Sequence, residues 1–280
     1  MIWATMASVV KVMLFDIPNL EALSISSVFA FLFLLIVNIK NGSIRLMKNY
    51  SAKDYGIMSV LGFIGLFMYS ALYYYGLIHL TSQEACIVNY LWPIMLVIFS
   101  CIILKEKLTP IKIMAMICSF LGIVILSAGS NSASGGNNML GIASCIIAAA
   151  CYGLFSVLNK KYDYNQNIAM MIIWIVVAIC AFVLGIFTEE WVAIKGSAWI
   201  GMIWLGVFID AIAYLLWSLA LKESTNTAVV ANLAFLTPFL SLIISAIFLK
   251  EEVKPTAVIA LIFIVGGILV QNIFDKKQKQ

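Results

Sequence analysis

Aromatic and polar side chains recur at helical spacing inside stretches that are otherwise apolar, and these are the residues with chemistry to offer. In Met68-Tyr-Ser-Ala-Leu-Tyr-Tyr-Tyr-Gly76, Tyr69 and Tyr73 stand four apart and share a helix face. Asn89-Tyr-Leu-Trp-Pro93 sets an amide, the Tyr90 phenol and the Trp92 indole directly ahead of a proline. Asp210-Ala-Ile-Ala-Tyr-Leu-Leu-Trp-Ser218 puts Asp210, Tyr214 and Ser218 one turn apart, with Trp217 one turn from Tyr214. The chemistry is recognition rather than bond making. Aromatic faces pack flat apolar groups and attract ammonium. An unpaired carboxylate in the middle of a membrane helix costs at least about 2.5 kcal/mol, so Asp210 must be paired, protonated or hydrated. Lys11 is the other charge inside a span, which leaves open a structural Lys11–Asp210 pair, a neutral Asp210, or a proton or substrate-amine site. One His, no HExxH, no Gly-x-Gly-Asp and no in-span Ser or Cys beside a plausible base make a membrane-embedded enzyme a remote alternative. No metal or cofactor is expected.

The elements that carry these residues are membrane helices. The chain is 64% hydrophobic and only 11% charged, with a mean hydropathy of +1.07, whereas soluble domains carry roughly 25% charged residues. Ten apolar segments of near-membrane length follow one another, at about 1–15, 21–39, 55–78, 83–104, 111–128, 139–159, 167–187, 198–221, 226–249 and 255–274. The first is short. No N-terminal basic region or small-residue cleavage site marks a secretory signal. The six cysteines all fall inside proposed spans, without a CxxC pair, and read as packing residues. With the N-terminus inside, 13 of the 17 basic residues fall in inner segments, three fall outside, and Lys11 lies within a span. That bias orients a ten-helix bundle with both termini cytoplasmic. The basic residues are thereby explained by topology, so nucleic acid is not expected as a partner.

Part of the sequence is written twice. Shifted by 145 residues, Pro93 falls on Pro238, Leu104-Lys105-Glu106 on Leu249-Lys250-Glu251, and Pro110 on Pro255; 12 of 31 positions between 93 and 123 are identical. Trp3…Lys11 pairs more weakly with Tyr152…Lys160 at a shift of 149. Five helices per copy is an odd number, so the second copy crosses the membrane inverted, as in transporters that bind at the midplane between repeats. The expected domains are residues 1–130 and 139–274, a polar Gly/Ser/Asn linker at 131–138 and a basic tail at 275–280. Pro93 and Pro238 each remove a backbone hydrogen bond and should kink their helices. The carbonyls so freed must be met by neighbours or by water in a cavity.

Five-plus-five duplication, proline in the fourth and ninth spans and the Leu-Lys-Glu corner together resemble the drug/metabolite transporter superfamily in its ten-helix EamA form. Trp3-Ala-Thr-Met6, Tyr69-x3-Tyr73, Asn89-Tyr-Leu-Trp-Pro93, Asn159-Lys-Lys-Tyr162 and Ala213-Tyr-x2-Trp217 are similar to segments of the YddG-type aromatic amino acid exporters. The resemblance implies a central cavity and export of amino acids or related metabolites. It also implies cavity positions at Tyr69, Tyr73, Tyr90, Trp92 and Pro93, with Tyr152 where such exporters resemble one another in carrying Trp. Ser70 stands where some of them have His. The resulting expectation is alternating access around a cavity lined by Tyr69, Tyr73, Asn89, Tyr90, Trp92, Pro93, Tyr152, Tyr214 and Trp217. The carrier would sit in the plasma (inner) membrane, as a monomer among lipids, with aromatic and other neutral amino acids as substrates. A carrier of the same fold for a cationic drug, a purine or a sugar derivative is the alternative.

Overall fold

A computed structural model describes residues 2–14, 16–80, 85, 88–128, 139–249 and 255–277. Every regular element among them is helical. A 3-10 turn, Ile2–Thr5, precedes α1 (Met6–Met13) and α2 (Asn19–Lys40). A second 3-10 stretch, Ser43–Asn49, leads to α3 (Ala52–Leu61), which runs on through a π-helical segment, Gly62–Met68, into α4 (Tyr69–His79). Next come α5 (Trp92–Ile103), α6 (Pro110–Ala128), α7 (Met139–Lys161) and α8 (Gln166–Thr188). Then α9 (Ala198–Trp204) continues through a second π segment, Leu205–Ala213, into α10 (Tyr214–Glu223). The last three are α11 (Thr227–Leu233), α12 (Leu236–Leu249) and α13 (Pro255–Lys277). The 131–138 linker, Glu251 and the Lys11 side chain lie outside the described residues.

Among the described residues, five stretches are long and apolar enough to cross a membrane: Asn19–Lys40, Ala52–Gly76, Met139–Lys161, Gln166–Thr188 and Ala198–Glu223. Others are shorter for a visible reason. The helix after the break ahead of Pro93 (Trp92–Ile103) and the two on either side of the break ahead of Pro238 (Thr227–Leu233 and Leu236–Leu249) are each below spanning length. Large apolar side chains point outward along these helices, as at Phe187 (80% exposed) and Met139 (74%), which suits a lipid surround.

The chain folds into two compact units, residues Tyr69–Val157 with Glu223–Gln280, and Ile2–Met68 with Leu158–Lys222. Each unit draws on both sequence halves.

In the first unit small residues let helices touch backbone to backbone, as expected where lipid supplies no hydrophobic drive. A Cβ at Gly267 on α13 would meet the Ser119 hydroxyl and lie 2.6 Å from the Ala115 carbonyl on α6. A Cβ at Gly153 on α7 would lie 2.7 Å from the Leu96 nitrogen on α5. Gly76 on α4 sits against Cys145 on α7 in the same way. The Leu104-Lys105-Glu106 corner turns through Lys105 at φ 57°. It delivers the Glu106 carboxylate to the start of α11, where it accepts from the Thr227 amide (2.9 Å) and hydroxyl (2.7 Å). An acidic group there meets amides that have no partner within their own helix.

In the second unit α2 packs along α8, tied by Ser24 Oγ donating to the Ala178 carbonyl (3.1 Å) and Asn38 Nδ2 to the Asn167 carbonyl (3.1 Å). Pro18 precedes α2 and provides no side-chain cap. Glu189 supplies one from a distance, accepting from the Leu20 amide at 3.0 Å and the Glu21 amide at 3.1 Å. Ser51 and Asp54 form a reciprocal capping box at α3. Both π segments are seated by glycines: a Cβ at Gly62 would lie 2.9 Å from the Ile173 carbonyl, and one at Gly206 would strike the Ser26 carbonyl.

Candidate functional site

The proline breaks organise the first unit. Pro93 has no N–H to return to the Asn89 carbonyl, and its ring crowds that carbonyl. The chain answers with a turn at Tyr90–Leu91, where the Leu91 amide reaches back only three residues to Val88 (3.1 Å) before α5 starts at Trp92. Pro238 does the same at Ala234–Phe235, with short-range bonds from Ala234 to Ala231 (3.1 Å) and Phe235 to Asn232 (3.2 Å). The helices are therefore broken two to four residues ahead of each proline, a stronger interruption than the kink expected at the proline itself.

Around the first break the aromatic residues meet. Tyr69 and Tyr73 lie parallel, centroids 6.2 Å apart with 3° between planes. Tyr69 also packs on Tyr152 at 5.1 Å, and Tyr152 receives Trp92 edge-on at 4.8 Å. Asn89 donates from Nδ2 to the Tyr69 hydroxyl (3.2 Å), while its Oδ1 is buried with no hydrogen-bond partner. Tyr152 is 3% exposed and Trp92 7%, and the Gly153 close approach is what allows Tyr152 to reach α5. Phe155, one turn beyond Tyr152 and 6.0 Å from it, extends the cluster and was not singled out by the sequence. Tyr90 lies in the turn itself, half-buried against the Phe235–Ile264 core.

The second unit holds a separate cluster. Tyr214 meets Trp3 edge-on at 5.1 Å and Trp174 edge-on at 5.2 Å, and Trp3 also leans on Trp217 at 5.6 Å. The indole nitrogens of Trp3 and Trp174 are buried without an acceptor. Asp210 is 8% exposed, with Oδ2 left without a hydrogen-bond partner; the Ser27 hydroxyl on α2 is buried and unpartnered too, while the Ser26 hydroxyl donates to the Leu23 carbonyl (3.3 Å). Ser218, one turn beyond Tyr214, accepts from Asn159 Nδ2 (2.9 Å), which also donates to Gln166 (3.1 Å).

Trp174 was missed because it sits in a run of apolar residues on α8, with no local signal. Its role comes from packing alone. A further regularity was available in the sequence: the 145-residue shift that relates Pro93 to Pro238 also relates Tyr69 to Tyr214. Each is the first residue after a π segment. Such segments are rare and concentrate at functional positions.

Comparison with known proteins agrees with this architecture. A crystal structure of a protein 21% identical in sequence superposes with a TM-score of 0.89, covering 100% of this chain and 95% of the other, which shows a shared fold. An uncharacterized transporter of Archaeoglobus fulgidus is 30% identical over 217 residues, 74% of each chain. An uncharacterized transporter of Clostridium kluyveri is 24% identical over 252 residues, 87% of this chain and 80% of that one. The aromatic amino acid exporter YddG of Ancylobacter novellus is 25% identical over 221 residues, 78% of this chain and 76% of that one. The pattern of the EamA-like transporter family matches residues 1–128 and 139–273. Two matching segments that take in nearly the whole sequence, on an all-helical apolar fold, make the chain a member of the EamA-like transporter family: a membrane transporter, not an enzyme.

Proposed function

We propose that this transporter exports aromatic and other neutral amino acids, or closely related small metabolites, across the plasma membrane by alternating access. The observation that carries the reading is the Tyr69–Tyr73–Tyr152–Trp92 cluster with the Asn89 amide set among the rings. Stacked and edge-on rings offer a flat apolar side chain a matching surface, and their faces attract an ammonium group. The unpartnered Asn89 Oδ1 is an acceptor for an N–H. The exporter from Ancylobacter novellus, at 25% identity, supports the same substrate class. Tyr214, Trp217 and Asp210 take part in the same cycle, Asp210 as a proton or charge site. Ten spans in two inverted repeats, residues 1–130 and 139–274, carry this cycle, with both termini cytoplasmic and a monomeric working state.

The test is uptake of labelled Phe, Trp, Met, Leu and Thr into liposomes holding the purified protein. Movement of at least one, lowered by Tyr152→Ala and Trp92→Ala, is expected; movement of none overturns the amino acid assignment. One observation favours a second reading, a cationic solute: the buried Asp210 Oδ2 has no hydrogen-bond partner. Under that reading organic cations compete for transport and Asp210→Asn removes the competition.

A further inference from the structure

Away from the aromatic clusters, the second unit carries a surface cavity of about 420 Å³ between α3 and the last turn of α7. Its wall is apolar, built by Ile57, Val60 and Leu158, and its polar groups gather at one end, Lys53 and Tyr162. Gly56 lies along the same groove, exposed, and a Cβ there would meet nothing within 4 Å. The polarity follows the membrane. Lys53 stands at the beginning of the Ala52–Gly76 stretch and Tyr162 just past the end of Met139–Lys161, so both sit where spans end. Val60 is seven residues further into its helix, about 10 Å deeper at 1.5 Å per residue.

The charge at the polar end is lopsided. Lys53 on α3 and Lys160 and Lys161 in the last turn of α7 stand against Asp54 on α3 and Asp163 just past α7. Both carboxylates are already engaged. Asp54 accepts from the Ser51 amide and hydroxyl and from the Tyr164 hydroxyl. Lys222 holds Asp163 at 2.8 Å, and that hydrogen bond keeps its carboxyl below the usual range. A cation beside an apolar furrow, at the level where lipid headgroups lie, complements one class of molecule.

We propose that this groove binds an anionic phospholipid, its phosphate at Lys53 and Tyr162 and an acyl chain along Ile57, Val60 and Leu158. Lipid binding here is independent of the substrate reading. Native mass spectrometry of the full chain in detergent, titrated with phosphatidylglycerol and with phosphatidylethanolamine of the same acyl chains, tests it. Phosphatidylglycerol is expected to bind more tightly. Lys53→Ala should lower its affinity about fivefold, the effect of one basic residue facing an anionic headgroup, leave phosphatidylethanolamine unchanged and be rescued by Lys53→Arg. Gly56→Leu fills open space in the groove and should weaken both lipids. Lys195→Ala, at an exposed lysine between α8 and α9, should weaken neither. Equal binding of the two lipids, no loss in Lys53→Ala, or an equal loss in Lys195→Ala overturns the proposal.

Discussion

Replacing Gly153 with alanine puts a methyl where α7 meets α5. The new Cβ would lie 2.7 Å from the Leu96 nitrogen and 2.9 Å from both the Met95 carbonyl carbon and its Cβ. Two of those atoms are backbone and cannot swing aside. Ordinary contact begins at 3.4 Å, so the helices must part by about 0.7 Å to restore it. Overpacking of this kind costs about 1–3 kcal/mol, while alanine gains about 1 kcal/mol over glycine in helix propensity. The clash wins, for a net loss of up to about 2 kcal/mol. Gly266→Ala is the matched control, because nothing lies within 4 Å of a Cβ there, and only the propensity gain remains. Heat unfolding of the purified full chains in detergent compares the two, and Gly153→Ala should melt below the parent and Gly266→Ala at or above it. Tyr152 adjoins Gly153 and packs on Trp92 at 4.8 Å. Loosening a ring pair that contributes about 0.5–1.5 kcal/mol should weaken substrate two- to tenfold. A Gly153→Ala protein that melts with Gly266→Ala and binds substrate like the parent refutes the close-packing argument.

Three further outcomes are expected. Asp210→Asn should remove the response of transport to an imposed pH gradient while preserving the fold; an unchanged response in liposomes would leave Asp210 a structural residue. Glu106→Gln takes the charge from the group that meets the Thr227 amide and hydroxyl, and should cost about 1–2 kcal/mol measured by thermal unfolding. Burial, reinforced by the Asp54 charge, pushes the Tyr164 phenol from 10.0 up to about 12. The folded chain therefore holds that proton more tightly than the unfolded chain. The stability this contributes is complete below pH 10 and is lost as pH rises toward about 12. Tyr164→Phe should flatten that alkaline decline in a melting-temperature series, and an unaltered slope would show that another group causes it.

Much of the local architecture is legible because its causes are local. Uninterrupted apolar runs force helices whose backbone groups are satisfied internally, and α2, α7 and α8 fall within one or two residues of their expected bounds. Proline removes its own N–H whatever surrounds it, so the interruptions before Pro93 and Pro238 could be anticipated, though not their placement at Tyr90–Leu91 and Ala234–Phe235. The Tyr69–Tyr73 pair is also visible as a spacing, since residues four apart on a helix are neighbours. Glu106 shows the limit. The repeated Leu-Lys-Glu corner marks it, but its partner Thr227 is distant in sequence.

By itself the sequence determined an apolar helical chain, duplicated at a 145-residue shift, with aromatic residues concentrated around a proline. Composition and spacing carry those properties, and both are settled before any helix meets another. Tertiary structure decided which rings touch: Tyr152 against Trp92 through the gap left by Gly153, and Trp3 with Trp174 around Tyr214. It also decided the two π segments ahead of Tyr69 and Tyr214, which depend on close packing at Gly62 and Gly206. A methyl-sized difference sets these contacts, and whether that space is free depends on a helix distant in the chain.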